Sequence, residues 1–451
     1  MVLNAFANVF RIAELRARLA YTIALLAVYR IGIFITTPGV NRAAMNVFME
    51  SQKKSGGLVN LFNLFSGGAL EQMSIFGLGI MPYVSASIVM QLLTVVIPTL
   101  ERLQKEGAAG RQKLNQFTRY GTIVLAIVQG IAIARGLASI GRVPRGRNSF
   151  FNFDQVVVPR DDFWFFLMTV ITLVAGTAFI MWLGEKITDR GIGNGISLII
   201  FAGIVARVPA AVKQLIDLTR SEVINGGAIV ALAAFMLMII ALVVYMERGM
   251  RRIPVQYAKR VAGRGVFAGQ ATYFPMKVNS SGVIPPIFAG ALLSFPATLS
   301  NWIPFLGAFD RGLLGNVWVH NGVFVVLIVL CSYFYTALTF RSDDVADNIK
   351  KQGGYIPGIR PGRQTSSFIE RVLNRITFGG AIYLATVCII PSIISSLVGV
   401  SFPFGGTALL IVVGVALDTV QQIEGHLISR NYEGFAGPKG HRIRGRIRAA
   451  A

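Results

Sequence analysis

Five polar side chains interrupt otherwise apolar stretches of this 451-residue chain: Arg30, Gln91, Gln129, Asn279 and Asp418. Their types limit the chemistry on offer. Ion or proton coupling inside a membrane uses paired acids, histidines or lysines near the midplane. Here the one acid, Asp418, lies close to the end of its apolar run, and the sequence offers it no paired acid. Gln91, Gln129 and Asn279 are neutral and can hydrogen-bond between helices for ~0.6–2 kcal/mol each. Contacts of that strength can hold a seam shut and still let go. Arg30 is the odd residue, because a charge at mid-membrane costs ~3 kcal/mol or more; it is expected to snorkel or to meet backbone carbonyls. No catalytic constellation accompanies these residues. The chain lacks an HExxH helix, a GxSxG elbow and a P-loop. Gly191-Ile192-Gly193-Asn194-Gly195 is glycine-rich but lacks the preceding strand and following lysine of a nucleotide loop. His320, His426 and His441 are scattered without metal-ligand spacing. Cys331 and Cys388 sit inside apolar runs and read as core packing.

The elements that must position these residues are apolar and long. Hydrophobic residues make up 54% of the chain and charged ones 14%, against about 25% charged in a soluble domain. A helix needs about 20 apolar residues to cross roughly 30 Å of hydrocarbon. Ten stretches approach or meet that length, at about 19–37, 73–97, 118–138, 162–183, 192–212, 227–246, 281–303, 320–340, 376–398 and 404–423. The expectation is an all-α polytopic membrane protein of ten helices. Residues 1–18 place Val2, Phe6, Val9, Phe10 and Ala13 at helical spacing beside Arg11, Glu14, Arg16 and Arg18, the pattern of an interfacial helix. The first apolar run ends without a small-residue cleavage site and is expected to be kept as the first span.

Charge sets the orientation. Lys plus Arg number 43 against 21 Asp plus Glu. With ten spans, the tails and even-numbered loops carry 30 of the basic residues and the other side 12, with Arg30 inside the first span. Positive loops stay inside, so both termini are expected in the cytoplasm. The five arginines of loop 135–160 run against this excess, partly offset by Asp154, Asp161 and Asp162. Two long basic loops on the inner side, 247–277 and 341–375, suggest a docking surface for an anionic macromolecule rather than topology anchors alone. Five spans per half force the halves into opposite orientations, the arithmetic of an inverted repeat: 19–212 and 227–423, followed by a basic tail at 424–451.

Helix breakers recur at the starts of three spans: Gly77, Gly79 and Pro82; Gly191, Gly193 and Gly195; Gly282, Pro285 and Pro286. A turn or so from each stand β-branched residues, Ile80 and Val84, Ile196 and Ile200, Ile284 and Ile287, and Ile411 follows Gly405-Gly406 in the last span. Isoleucines in a membrane helix ordinarily face lipid or core. Brought to one axis, they would form a narrow apolar constriction that gates by dewetting. Leu58–Phe76, broken by Ser66-Gly67-Gly68, is too short to cross and too apolar for a free loop. It fits a re-entrant element shielded from lipid, with an outer interfacial helix as the alternative.

Seven stretches in order along residues 10–435 resemble the SecY family of bacterial protein-conducting channels: Phe62–Leu70, Leu78–Tyr83, Gln116–Gly121, Met181–Glu185, Asp189–Ser197, Gln256–Arg260 and Ile356–Gly362. The resemblance implies two inverted five-helix halves around an hourglass pore, in a bacterial plasma membrane. It implies a pore ring of Ile80, Val84, Ile196, Ile200, Ile287 and Ile411, with Val84 smaller than the isoleucine often found there. It implies a plug at 58–76 that includes Phe62, Asn63, Phe65, Ser66, Gly67 and Gly68. A lateral gate between spans 2, 3, 7 and 8 would use Ser85, Gln91, Gln129 and Asn279. Docking of the ribosome and of the SecA ATPase would fall to Arg251, Arg252, Lys259, Arg260, Arg360 and Tyr432. The implied partners are SecE and SecG small membrane subunits, SecA, the ribosome, signal sequences and nascent chains, anionic lipids and a second channel copy. No cofactor is implied. The tail at 436–451 has no counterpart in the family pattern; anionic lipid or ribosomal RNA would suit its arginines.

Two other classes remain open on the residues. A secondary transporter with inverted repeats would need ion ligands at the midplane, and an intramembrane enzyme would need a nucleophile and a base. A channel for unfolded chains needs neither, since flexible aliphatic side chains can seal around any sequence while forming few strong bonds.

Overall fold

Inside hydrocarbon every backbone N–H must find an internal acceptor, so apolar stretches resolve as helices. A computed structural model of the chain describes residues 12–42, 45, 66–140, 162–210, 212–213, 216, 226–257, 260–262, 265–267, 271–299, 317–398 and 405–435. Its first half contains α1 (Ala13–Ile33), α2 (Met81–Val96), α3 (Pro98–Lys105), α4 (Ala108–Ile140), α5 (Phe163–Arg190) and α6 (Gly195–Val205). Its second half contains α7 (Gly226–Glu247), β1 (Met250–Tyr257), β2 (Arg260–Ala262), β3 (Gly265–Phe267), β4 (Ala271–Lys277), α8 (Ile284–Leu299), α9 (Val317–Thr339), α10 (Ser342–Lys351), β5 (Gly354–Tyr355), α11 (Arg363–Val398) and α12 (Gly406–Phe435).

A helix lies in each of the ten expected spans. Six, in α4, α5, α7, α9, α11 and α12, are long and apolar enough to cross by themselves. α2 and α3 would make a seventh as a pair, bent by 101°. The bend sits where Ile97 adopts an extended backbone before Pro98, as the proline ring demands of its predecessor. The apolar helical stretches that begin with α6 and α8 are shorter, Gly195–Ala210 and Ile284–Leu293. The breakers that precede them delay their starts. Of the expected interfacial helix at 1–18, residues 1–11 lie outside the described residues, and Ala13–Arg18 form the opening turns of α1, continuous with the first span.

The start of α6 is fixed from three directions. Asn194 caps it, its Oδ1 accepting from the backbone N–H of Ile196 at 3.1 Å and of Ser197 at 3.4 Å. The Gly193 N–H donates to Gln422 Oε1 of α12 at 2.9 Å. The Ile192 N–H donates to Thr22 Oγ1 of α1 at 3.2 Å. α5 comes so near that a Cβ on Gly195 would collide with the Gly184 carbonyl oxygen.

The two basic loops differ from simple connections. β1 pairs antiparallel with β4 from Met250↔Lys277 to Gln256↔Ala271, and the sheet order is β4-β1-β5. Along β1, Ile253 and Val255 point inward, between exposed Arg252, Pro254 and Gln256. With Met276 they pack on Ile349 of α10, Ile356, and Ile369 and Leu373 of α11. The loops at 247–277 and 341–375 therefore share one small core, and they add strands to an otherwise helical chain.

An alanine at Gly195 is expected to cost about 1–3 kcal/mol through overpacking against α5. Alanine at Gly227, where nothing lies within 4 Å, is expected to be neutral. Thermal unfolding midpoints of the two variants in detergent check this.

Candidate functional site

The six expected collar residues come from four elements. Ile80 is the N-cap of α2 and Val84 lies in its first turn; Ile196 and Ile200 are one turn apart on α6; Ile287 is on α8 and Ile411 on α12. Ile80, Ile200, Ile287 and Ile411 are buried in one apolar cluster, and Val84 and Ile196 pack against it half-buried. The cluster also takes in Tyr29 and Ile33 of α1, Phe76, and Ile180, Leu183 and Ile187 of α5.

Against this cluster sits part of the expected re-entrant segment. Phe62, Asn63 and Phe65 lie outside the described residues; Ser66–Phe76 are described. They form successive turns, and Ser66, Ala69, Met73, Ser74 and Phe76 are buried. A short bridge pairs Thr36 with Ser74. The Thr37 N–H donates to the Met73 carbonyl at 2.8 Å and the Ile75 N–H to the Ile35 carbonyl at 2.9 Å. Backbone polarity inside the bundle is thus satisfied by backbone.

Arg30 has the partner its cost requires. Its Nη1 donates to the Gly67 carbonyl at 3.2 Å, and its guanidinium lies 5.4 Å from the Phe34 ring centroid. The neighbouring Tyr29 hydroxyl donates to the Ser66 carbonyl at 3.3 Å. A second arginine, unremarked in the sequence, does likewise: Arg207 Nη2 meets Glu71 Oε2 at 3.3 Å, both about three-quarters covered. Phe76 stacks between Tyr29 and Phe179 with centroids 5.9 Å from each. At Gly67, φ is +65° and a Cβ would stand 2.7 Å from the Gly203 Cα. A side chain at either glycine would push the segment off α6.

The seam candidates are divided between α2, α4 and the approach to α8. Ser85, Gln91 and Gln129 are half-buried on α2 and α4. Asn279 is buried, 3% exposed. Its Nδ2 donates to Glu247 Oε1 at 2.6 Å and to the Gly282 carbonyl at 3.1 Å, while the Ser281 hydroxyl donates to its Oδ1 at 3.1 Å. Asn279 is therefore engaged with the end of α7 and the approach to α8. Sequence reading missed Glu247 because it looks like one more loop charge. Among the described residues, no three His, Cys, Asp or Glu side chains are grouped to hold a metal ion.

The docking candidates fall on three elements and the turn after β5. Arg251 and Arg252 are exposed on β1. Arg360 is exposed after β5, its carbonyl accepting from Thr365 Oγ1 at 2.9 Å. Arg260 lies on β2 and Tyr432 in the last turns of α12. Lys259 lies outside the described residues.

Comparison with known proteins bears on the whole chain. The SecY family model matches residues 74–420. A protein translocase subunit SecY from Pseudomonas aeruginosa is 47% identical over 428 residues, 94% of this chain and 93% of that protein. One from Streptomyces scabiei is 45% identical over 447 residues, 96% of this chain and all of that protein. Among solved structures, one described as a protein conducting channel superposes with a TM-score of 0.64 at 18% identity, over 93% of this chain and 94% of that one. Sec61 in a canine ribosome-channel complex from the endoplasmic reticulum gives 0.61 at 17%, with the same coverage.

Glu71→Gln is expected to leave Arg207 half-buried without its counter-charge and to loosen Ser66–Phe76. Hydrogen exchange at the amides of Thr37 and Ile75 should then speed up several-fold. Glu71→Arg with Arg207→Glu should bring it back toward the wild-type rate.

Proposed function

The chain belongs to the SecY family, and we propose that it is the central, polypeptide-conducting subunit of a Sec translocon in a bacterial plasma membrane, with both termini in the cytoplasm. It is a translocation channel, not an enzyme. Unfolded secretory chains thread the apolar collar, and hydrophobic segments leave sideways into lipid between α2 and α4 on one side and α8 and α9 on the other. The observation that carries this reading is the meeting of Ile80, Val84, Ile196, Ile200, Ile287 and Ile411, drawn from four separate elements, in one apolar cluster.

The chemistry of the collar suits the task. Aliphatic side chains offer dispersion contacts of ~0.1–0.2 kcal/mol per atom pair, and no hydrogen bonds that would favour one passing sequence. With no chain inside, the same side chains exclude water and ions by dewetting. Ser66–Phe76 lie against the cluster as the inner part of a plug at 58–76. The halves 19–212 and 227–423 are the two leaves of an inverted repeat.

Force comes from outside. The sheet β4-β1-β5 with α10 presents Arg251, Arg252 and Arg360 to the cytoplasm. That surface suits ribosomal RNA and the SecA motor. Lys259, Arg260 and Tyr432 extend the same docking region, and SecE and SecG complete the assembly in the membrane. Anionic lipids meet the basic tail at 424–451. A second copy of the channel is a further partner.

A nascent secretory chain arrested during export is expected to crosslink efficiently to a cysteine at Ile287 or Ile80, and not to one at lipid-facing Val230. The native Cys331 and Cys388 are buried and give the background. Equal crosslinking at all three positions would remove the collar from the path. Arg360→Glu is expected to lower motor-driven export at least ten-fold while leaving the level of folded channel unchanged, as read by export into inverted membrane vesicles.

A further inference from the structure

One ion pair joins the two sides of the sideways exit at its cytoplasmic end. Glu101 stands on α3, just past α2, and Arg341 stands between α9 and α10. Arg341 Nη1 approaches Glu101 Oε1 at 3.5 Å, and both side chains are about two-fifths exposed. The same Glu101 oxygen takes Lys105 Nζ from its own helix at 2.9 Å. The Lys105 hydrogen bond, with Arg341 further out, holds the Glu101 carboxyl below the usual carboxylate range, so it is ionised at neutral pH.

The backbone aims both partners. The 101° turn at Ile97–Pro98 carries α3 off the line of α2. Arg341 is the N-cap of α10 in extended conformation, φ −92° and ψ 101°, so it starts the element that packs into the docking core. The pair thus ties the second span of one half to the docking platform of the other. Arg102 of α3 and Asp343, Asp344, Asp347, Lys350 and Lys351 of α10 are the further charges on these two elements.

Resting on the channel reading, we propose that Glu101 and Arg341 form a clasp across the cytoplasmic mouth of the lateral exit, and that the clasp sets how hydrophobic a segment must be before it leaves into lipid. They are positioning residues and touch no reacting group. An exposed pair is worth at most about a five-fold bias in an equilibrium and is screened by salt. That is too little to hold the protein together and enough to move a partition threshold. Lys105 competes for the same carboxylate and therefore weakens the clasp.

The test uses the complete translocon in native membranes. A series of model segments of graded Leu and Ala content is scored as integrated or translocated. Arg341→Glu and Glu101→Arg are each expected to raise the integrated-to-translocated ratio of a marginal segment two- to five-fold. The double variant should return it to the wild-type value. Lys105→Gln should lower the ratio, and high salt should raise the wild-type ratio toward that of the single variants. Single variants that leave the threshold unmoved, or a double variant whose effects add instead of cancelling, would overturn the clasp while leaving the channel intact. A wild-type preparation that neither integrates nor translocates any segment would remove the channel reading and the clasp with it.

Discussion

An apolar collar seals only if the backbones carrying it cannot drift, and in this chain that constraint falls on α6. The helix has eleven residues, too few to anchor itself by spanning, yet it supplies both Ile196 and Ile200. Its position is instead fixed by contact of backbone on backbone. Gly195 meets the Gly184 carbonyl of α5, and Gly203 meets Gly67. Within a membrane there is little hydrophobic drive between helices, so close approach through small residues supplies the packing. The cap at Asn194 and the bonds to Thr22 and Gln422 fix the remaining freedom of its first turn. The α12 contact matters most, because α12 also carries Ile411 and so brings a second-half residue into register with α6.

Two arginines beside the segment at Ser66–Phe76 are each answered by a partner. Arg30 and Arg207 each fasten the segment at Ser66–Phe76. A carbonyl answers one and a carboxylate the other. Because a half-buried ion left alone costs several kcal/mol, these arginines hold the segment in place more firmly than their exposed equivalents would. The aromatic stack of Tyr29, Phe76 and Phe179 supplies the apolar side of the same seat.

Much of this was legible in the sequence. Length and apolarity located a helix in every expected span, and the breakers before Ile80, Ile196 and Ile287 marked where the short ones begin. The expectation that Arg30 snorkels or meets backbone carbonyls followed from the cost of its burial, and the Gly67 carbonyl is the partner found. Other features left no local trace. Arg207 and Glu71 are 136 residues apart, and neither has a neighbour that signals the other. Asn279 reads as a seam residue by type, but Glu247, reached only through the fold, takes its amide. The sheet was obscured because Met250–Tyr257 alternates over too few positions, inside a stretch whose arginines dominate its composition. The pleat becomes visible only once Ile349, Ile369 and Leu373 give Ile253 and Val255 something to cover.

That hidden sheet changes how the cytoplasmic loops relate to the collar. β1 begins three residues after α7 ends, and the Val278 N–H donates to the Gly249 carbonyl at 2.9 Å, closing the two strands at their base. Directly beyond that closure stand Asn279 and its bond to Glu247, then α8 with Ile287 in its first turn. A flexible loop would dissipate a load within itself, whereas a hydrogen-bonded ladder with its own core moves as one piece. A displacement of the platform therefore reaches the ends of α7 and α8 together, with no slack residue between strand pairing and the buried asparagine. The polar contacts at that junction are few and uncharged on the Asn279 side, so they can re-form after each displacement. The strands thus stiffen the basic loops through their own pairing and core.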